Sequence, residues 1–190
     1  GRLLERAGNC SSRGMAIARP GANRTRLIVR LLPVFFCEYS MTRIPVRPWA
    51  LVLAAGQGKR LSAATGGHSK QFLLWKGVPL YWHSARTLAR SGAVAGLVFV
   101  FPQDCLEEEK QRLAQLARDE DPGIPWLAVA GGAERQDSVR HGLAALPKEA
   151  THVLVHDSAR PFMSAALVHR VCDALAAGAV AVIPGLAVTD

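Results

Sequence analysis

Three short groups of residues in this chain have the types and spacing to do chemistry. In the first, an apolar run ends in Leu53-Ala-Ala-Gly-Gln-Gly-Lys-Arg60, two glycines one residue apart followed at once by two cations. A buried strand that empties into such a loop offers bare backbone N–H groups to an anion, and Lys59 and Arg60 add full charge beside them. That is a way to hold a polyphosphate. The Rossmann fingerprint is excluded, because Gly56-Gln-Gly-Lys-Arg-Leu61 ends in leucine where a third glycine is needed. A Walker A loop is excluded too, since Gly58-Lys59 is followed by Arg60 rather than Ser or Thr. The chain then runs through Ser62-Ala-Ala-Thr-Gly-Gly-His-Ser69 to Lys70, and a loop of that length can bring Lys70 back to the ligand.

The second group is Gly131-Gly-Ala-Glu-Arg-Gln-Asp-Ser138. Paired glycines let the backbone approach a base or ribose closely, and Arg135 and Ser138 offer donors. Ser138 is equally well placed to cap the helix that follows. The third is His156-Asp-Ser-Ala-Arg-Pro161. An aspartate at a strand end near a phosphate loop is a natural Mg²⁺ ligand, because Mg²⁺ takes one or two carboxylates plus phosphate oxygens. The competing reading pairs Asp157 with Arg160 as a structural ion pair. The metal role is favoured by the company of the glycine loop and Lys70. His156 reads as structural, with nothing in the sequence to position it as a base.

These groups need a scaffold that delivers them to one place. Strand-like runs recur at Ala50–Ala54, Gly96–Phe101, Trp126–Ala130, His152–His156 and Ala179–Ile183, several apolar on both parities, as in strands buried on two faces. Helical patterns alternate with them at Leu80–Ala89, Cys105–Arg118, Ser138–Leu146 and Ala165–Ala176. That alternation predicts an α/β fold, a mainly parallel sheet with helices on both faces. Ligands in such sheets sit beyond the carboxyl ends of the strands, where all three groups fall.

Composition narrows the classes further. The chain has 190 residues and a net charge of +8. Residues 1–47 hold nine arginines against Glu5 and Glu38, so they carry seven of those eight charges. Residues 48–190 are nearly neutral, and a basic nucleic-acid-binding domain is excluded there. The expected division is a basic segment 1–47 and a nucleotide-binding domain from 48 to 190. The first 40 residues read as a transit peptide, a disordered basic arm, or upstream sequence ahead of a start at Met41, with the abrupt change in composition favouring the last. The apolar run Leu27–Cys37 is broken by Arg30 and Pro33 and is too short to span a membrane. Cys10, Cys37, Cys105 and Cys172 show no metal spacing and suggest reduced thiols in a cytosolic protein.

Taken together, the glycine loop, Lys70-Gln-Phe, Gly131-Gly-x-x-Arg-x-x-Ser-Val139 and Val155-His-Asp-Ser-Ala-Arg-Pro161 resemble the 2-C-methyl-D-erythritol 4-phosphate cytidylyltransferase family over roughly residues 49–190. The resemblance implies a Rossmann-like nucleotidyltransferase fold and transfer of CMP from CTP to a small sugar-alcohol phosphate, releasing pyrophosphate in isoprenoid precursor synthesis. It implies that Ala54, Ala55, Gly56, Gly58, Lys59 and Arg60 hold the triphosphate and that Lys70 meets the α-phosphate. Gly131, Gly132, Arg135 and Ser138 would line the cytidine pocket, Asp157 would bind Mg²⁺, and Arg160 would organise the site toward the acceptor. Arg60 and Lys70 are the expected catalytic pair. The resemblance also implies a homodimer; a cytoplasmic location is favoured, with organellar targeting by residues 1–40 left open, and the charge distribution and the short apolar run argue for no nucleic-acid or membrane partner.

Two departures stand out: Ser69 replaces the family's proline before the lysine, and Ala133 replaces a common acidic residue. The family pattern also continues past Val188-Thr-Asp190, so the chain is expected to carry the CTP half of the site and to be inactive by itself. A cytidylyltransferase for a pentitol phosphate such as ribitol phosphate shares these motifs. From other classes, a non-catalytic nucleotide-binding module and a nucleic-acid role for the arginine-rich leader compete.

Overall fold

A computed structural model describes residue 46, residues 48–56 and residues 70–186, together with the backbone of residues 25–28. The chain-order elements are β1 (Thr25–Ile28), β2 (Pro48–Leu53), β3 (Leu74–Trp75), β4 (Val78–Pro79), α1 (Leu80–Arg90), β5 (Gly96–Phe101), α2 (Leu106–Asp119), β6 (Trp126–Ala130), α3 (Arg135–Ala144), β7 (His152–Asp157), α4 (Ala165–Ala176) and β8 (Ile183–Leu186). Apart from the backbone of β1, the expectations for residues 1–40 lie outside the described residues, as do those for Gly58, Lys59 and Arg60.

Four strands form one sheet in the order β6-β5-β2-β7, every pair parallel. Side chains in a strand alternate between faces, and the two central strands are buried on both. Ala50 and Val52 of β2 and Ala54 just beyond it, with Leu97, Phe99 and Phe101 of β5, pack against Tyr81, Trp82, Ala85 and Leu88 of α1, Leu113 of α2 and Val168 of α4. The other parity, Trp49, Leu51, Leu53, Val98 and Val100, packs against Val139 of α3. Helices therefore cover both faces, as the alternation predicts. Each fully buried Leu or Phe contributes about 1.5–3 kcal/mol, so β2 and β5 are the rigid centre of the scaffold.

Boundaries moved where local chemistry overrode periodicity. The third helix begins at Arg135 rather than Ser138, because Glu134 and Asp137 form a reciprocal capping box ahead of the apolar pattern. The last apolar run departs most. No strand forms over Ala179–Val182, where Val180 is 97% exposed; β8 instead covers Ile183–Leu186 and pairs antiparallel with β1, outside the parallel sheet. An apolar run becomes a strand only where a neighbouring ladder takes up its backbone groups. After Lys70–Phe72, a single 3₁₀ turn, β3 and β4 make a short hairpin whose two turn residues, Lys76 and Gly77, both have positive φ.

Candidate active site at the strand ends

The sheet register brings the motif-bearing ends level. Leu53, the last residue of β2, lies opposite Val100 on one side and Asp157 on the other, and Phe101 lies opposite Ala130. From β2 the chain goes to β5 on one side and later to β7 on the other, so a crevice opens at the end of β2. Hydrogen bonds extend the ladder just past the strands: Ala54 N–H donates to Val100 O (2.8 Å) and Gly131 N–H to Phe101 O (2.7 Å). Ser158 Oγ donates to Leu53 O at 2.6 Å and is 1% exposed, pinning the turn after Asp157 to β2.

This geometry separates the roles of the glycine-loop residues. Ala54 is 1% exposed with its N–H already in the ladder, so it sets the exit path rather than donating to a ligand. Ala55 and Gly56 follow with N–H groups that take no partner among the described residues. They are the available anion donors. A Cβ on Gly56 would meet nothing within 4 Å among the described residues.

The paired glycines serve close approach. A Cβ on Gly131 would stand 2.5 Å from the Cβ of Ala55 and 2.7 Å from Ser138 Oγ; one on Gly132 would stand 2.3 Å from the Cβ of Asp137. Only bare backbone lets the second motif touch the first. Ser138 is not the helix cap. It sits one turn inside α3, is 4% exposed, and its Oγ accepts from Gly132 N–H at 3.1 Å. Its hydroxyl therefore shapes the glycine turn.

Arg135 and Asp157 also meet. A guanidinium nitrogen of Arg135 lies 3.6 Å from Asp157 Oδ2, while Oδ1 accepts from Ala159 N–H at 3.1 Å. The ion pair weighed for Asp157 thus forms with Arg135, because Arg160 meets Asp157 through its backbone, N–H to O at 3.0 Å. Both charged groups are solvent-accessible, so the pair holds them with at most about 1 kcal/mol and yields readily to a stronger ligand. His156, read as structural, has a buried partner. Its Nε2 lies 3.0 Å from the fully buried Ser84 Oγ, and burial lowers its pKa below the usual histidine value.

A groove of about 1200 Å³ runs along β7, and its lining includes Arg135, Asp157, Arg160, Phe162, Val180 and Ile183. Its lining excludes Ala54–Gly56, Lys70 and Gly131, so it borders the crevice without being it. Asp157 suits a divalent cation as a single accessible carboxylate, and no group of three His, Cys, Asp or Glu that could hold a metal occurs among the described residues. An ion at Asp157 would draw its remaining ligands from phosphate oxygens and water. Cys105 and Cys172 are free thiols; burial, with the nearby Asp104 and Glu109 carboxylates, pushes Cys105 up to about 11, so it is no nucleophile at neutral pH. Cys10 and Cys37 lie outside the described residues.

Comparison with known proteins decides the family. The model of IspD, 2-C-methyl-D-erythritol 4-phosphate cytidylyltransferase, matches residues 49–190. The chain belongs to this family. A bifunctional enzyme IspD/IspF of Oleidesulfovibrio alaskensis is 56% identical over 142 residues, which cover 75% of this chain and 36% of that protein. The 2-C-methyl-D-erythritol 4-phosphate cytidylyltransferase of Streptomyces coelicolor is 41% identical over 148 residues, or 78% of this chain and 53% of that one. The chain thus spans about a third to a half of the length of these relatives. The crystal structure of 4-diphosphocytidyl-2C-methyl-D-erythritol synthase from Anaerococcus prevotii shares the fold, with TM-score 0.54 and 22% identity over 68% of this chain and 51% of that one. No helix among the described residues is long and apolar enough to cross a membrane.

Two residues with evident work at this site carried little sequence signal. Ser158 is one hydroxyl among many until its buried bond to β2 is seen. Gln71 stands out in the sequence only as Lys70's neighbour, yet its side chain ties the glycine loop.

Proposed function

We propose that the protein carrying this chain transfers CMP from CTP to 2-C-methyl-D-erythritol 4-phosphate and releases pyrophosphate. The family supports this reading. The observation that carries it is that three motifs far apart in sequence meet at the ends of β2, β6 and β7, with Gly131 against Ala55 and Arg135 against Asp157. A phosphate oxygen of the acceptor forms the new bond to the α-phosphorus of CTP as the bond to the β-phosphate bridging oxygen breaks. The nucleophile is already an anion and no base is required, in keeping with a buried, hydrogen-bonded His156. Catalysis then rests on alignment and on neutralised charge. Ala55 and Gly56 N–H groups cradle the phosphates, Lys70 and Arg60 offset the growing negative charge, and the glycine turn with Arg135 and Ser138 shapes the cytidine side. Arg160, two residues beyond the anchored Ser158, faces the acceptor side. Asp157 would hold the metal, which supplies charge neutralisation on the phosphate oxygens. Mg²⁺ as that metal, a homodimer and a cytoplasmic location rest on the family resemblance.

The test is pyrophosphate release by the full-length protein from CTP and Mg²⁺ with methylerythritol phosphate, with ribitol phosphate in parallel. Release with methylerythritol phosphate is expected, falling about 10²–10³-fold in Lys70→Ala. Turnover with ribitol phosphate alone would reassign the acceptor. CTP binding with no release from either acceptor would leave a nucleotide-binding module.

A further inference from the structure

One buried side chain joins the turn at Lys70–Phe72 to the residues that follow β2. Gln71, 5% exposed, donates from Nε2 to Ala54 O and to Gly56 O, both at 2.7 Å. A primary amide nitrogen carries two N–H groups, so one side chain serves two carbonyls. Its orientation is fixed by chemistry, since an amide oxygen in that place would face two other acceptors. The turn holding Gln71 is itself anchored. Leu73 N–H closes it onto Lys70 O at 3.1 Å, and the Phe72 ring packs edge-on to Tyr81, with centroids 6.2 Å apart, and beside Phe101, also at 6.2 Å. The turn that carries Lys70 is therefore bound to the core through Phe72 and, through Gln71, to the carbonyls of Ala54 and Gly56.

We propose that Gln71 is a positioning residue of the nucleotide site, holding Lys70 in register with Ala54–Gly56 so that lysine and loop N–H groups meet the same phosphate chain. The catalytic part of this claim rests on the function proposed above. Lys70 is a long, flexible cation, and its charge helps the transition state only if its backbone is held at a set distance from the loop that binds the phosphates. Gln71 sets that distance without touching the reactants.

The test uses the full-length protein with Gln71→Met, close in size but unable to donate, and Gln71→Glu, close in shape but presenting acceptors to acceptors. Each is made alone and together with Lys70→Ala. Gln71→Met is expected to lower kcat about ten- to a hundredfold while KM for CTP moves less than about threefold. In the Lys70→Ala background the same change is expected to cost less than about threefold, because a residue that acts through Lys70 has nothing left to position. Losses that multiply in the double variant overturn the proposal, as does a loss confined to melting temperature. Gln71→Glu is expected to be at least as impaired as Gln71→Met, and wild-type rates in it likewise overturn the proposal. Hydrogen exchange decides the structural part independently of turnover. The Leu73 amide is expected to exchange at least about tenfold faster in Gln71→Met, with helix and sheet amides unchanged. If wild-type protein turns over no acceptor, the proposed function fails while this readout still stands; unchanged Leu73 exchange overturns the positioning claim whatever the activity.

Discussion

Two glycines at the same site should respond in opposite ways to one added methyl group, and the contrast tests how the motifs fit together. In Gly131→Ala the new Cβ would stand 2.5 Å from the Cβ of Ala55, 2.7 Å from Ser138 Oγ and 3.4 Å from the carbonyl oxygen of Phe101. Ordinary carbon–carbon contact needs about 3.5–4.0 Å, so relief requires roughly an ångström of movement. Neither partner yields easily. Ala55 has no side-chain freedom, and Ser138 is buried and bonded to Gly132 N–H. Overpacking of this kind costs about 1–3 kcal/mol. For a domain of this size that is a fall in Tm of about 3–10 °C. The displaced Ala55 should weaken CTP binding as well. In Gly56→Ala the added carbon meets nothing within 4 Å among the described residues and φ lies outside the glycine-favouring region, so stability should stay within about 0.5 kcal/mol of the parent. If Gly56 N–H approaches a phosphate, that methyl still obstructs the ligand, and CTP affinity should fall while Tm holds. Thermal unfolding followed by circular dichroism, with calorimetric CTP titration, reads both. An unchanged Tm in Gly131→Ala would refute the close contact between the motifs. An equal fall in Tm for Gly56→Ala would refute the ease of placing a methyl there.

Two further perturbations probe the supports of Asp157. Ser158→Ala removes the 2.6 Å bond to Leu53 O but leaves that carbonyl the Ser158 N–H at 3.2 Å, so denaturant unfolding should show a loss of only about 0.5–1.5 kcal/mol; a loss above about 3 kcal/mol would contradict the shared acceptor. His156 is held below its unfolded pKa by burial, the stronger influence, although the Asp157 carboxylate opposes it. The folded state therefore binds the proton less readily, and this contribution is complete above the unfolded value of 6.5 and lost as pH falls through the folded pKa. Unfolding titrations of the parent and His156→Gln should diverge over that acid window, the variant losing less stability; parallel curves would show that His156 does not titrate across folding.

Much of the scaffold was legible in the residue order because its cause is local. β5 and β6 are apolar runs bounded by glycine and proline, and α4 follows a serine that caps it; all three match the sequence reading. That Ala55 and Gly56 follow the strand with N–H groups lacking a partner among the described residues was legible for the same reason, since an apolar run stopped by spaced glycines breaks the ladder locally.

What sequence order alone could not decide is how distant segments meet. Gly131 and Gly132 read as a turn that could approach a ligand, but only the order β6-β5-β2-β7 puts Gly131 against Ala55. Ser138 read equally as a cap or a contact until α3 started one turn earlier and turned its hydroxyl onto Gly132. Asp157 found Arg135 rather than Arg160 because β6 and β7 flank the central strands and deliver their loops over one crevice. The run at 179–183 failed as a strand because a strand is defined by its partner, and no pattern within the run names one. The residue order therefore determined which local structures and donor groups this protein has. Tertiary structure decided which of them share a site, because hydrogen bonds such as Gln71 to Ala54 and Gly56 span 15–17 residues and exist only once the sheet has set the geometry.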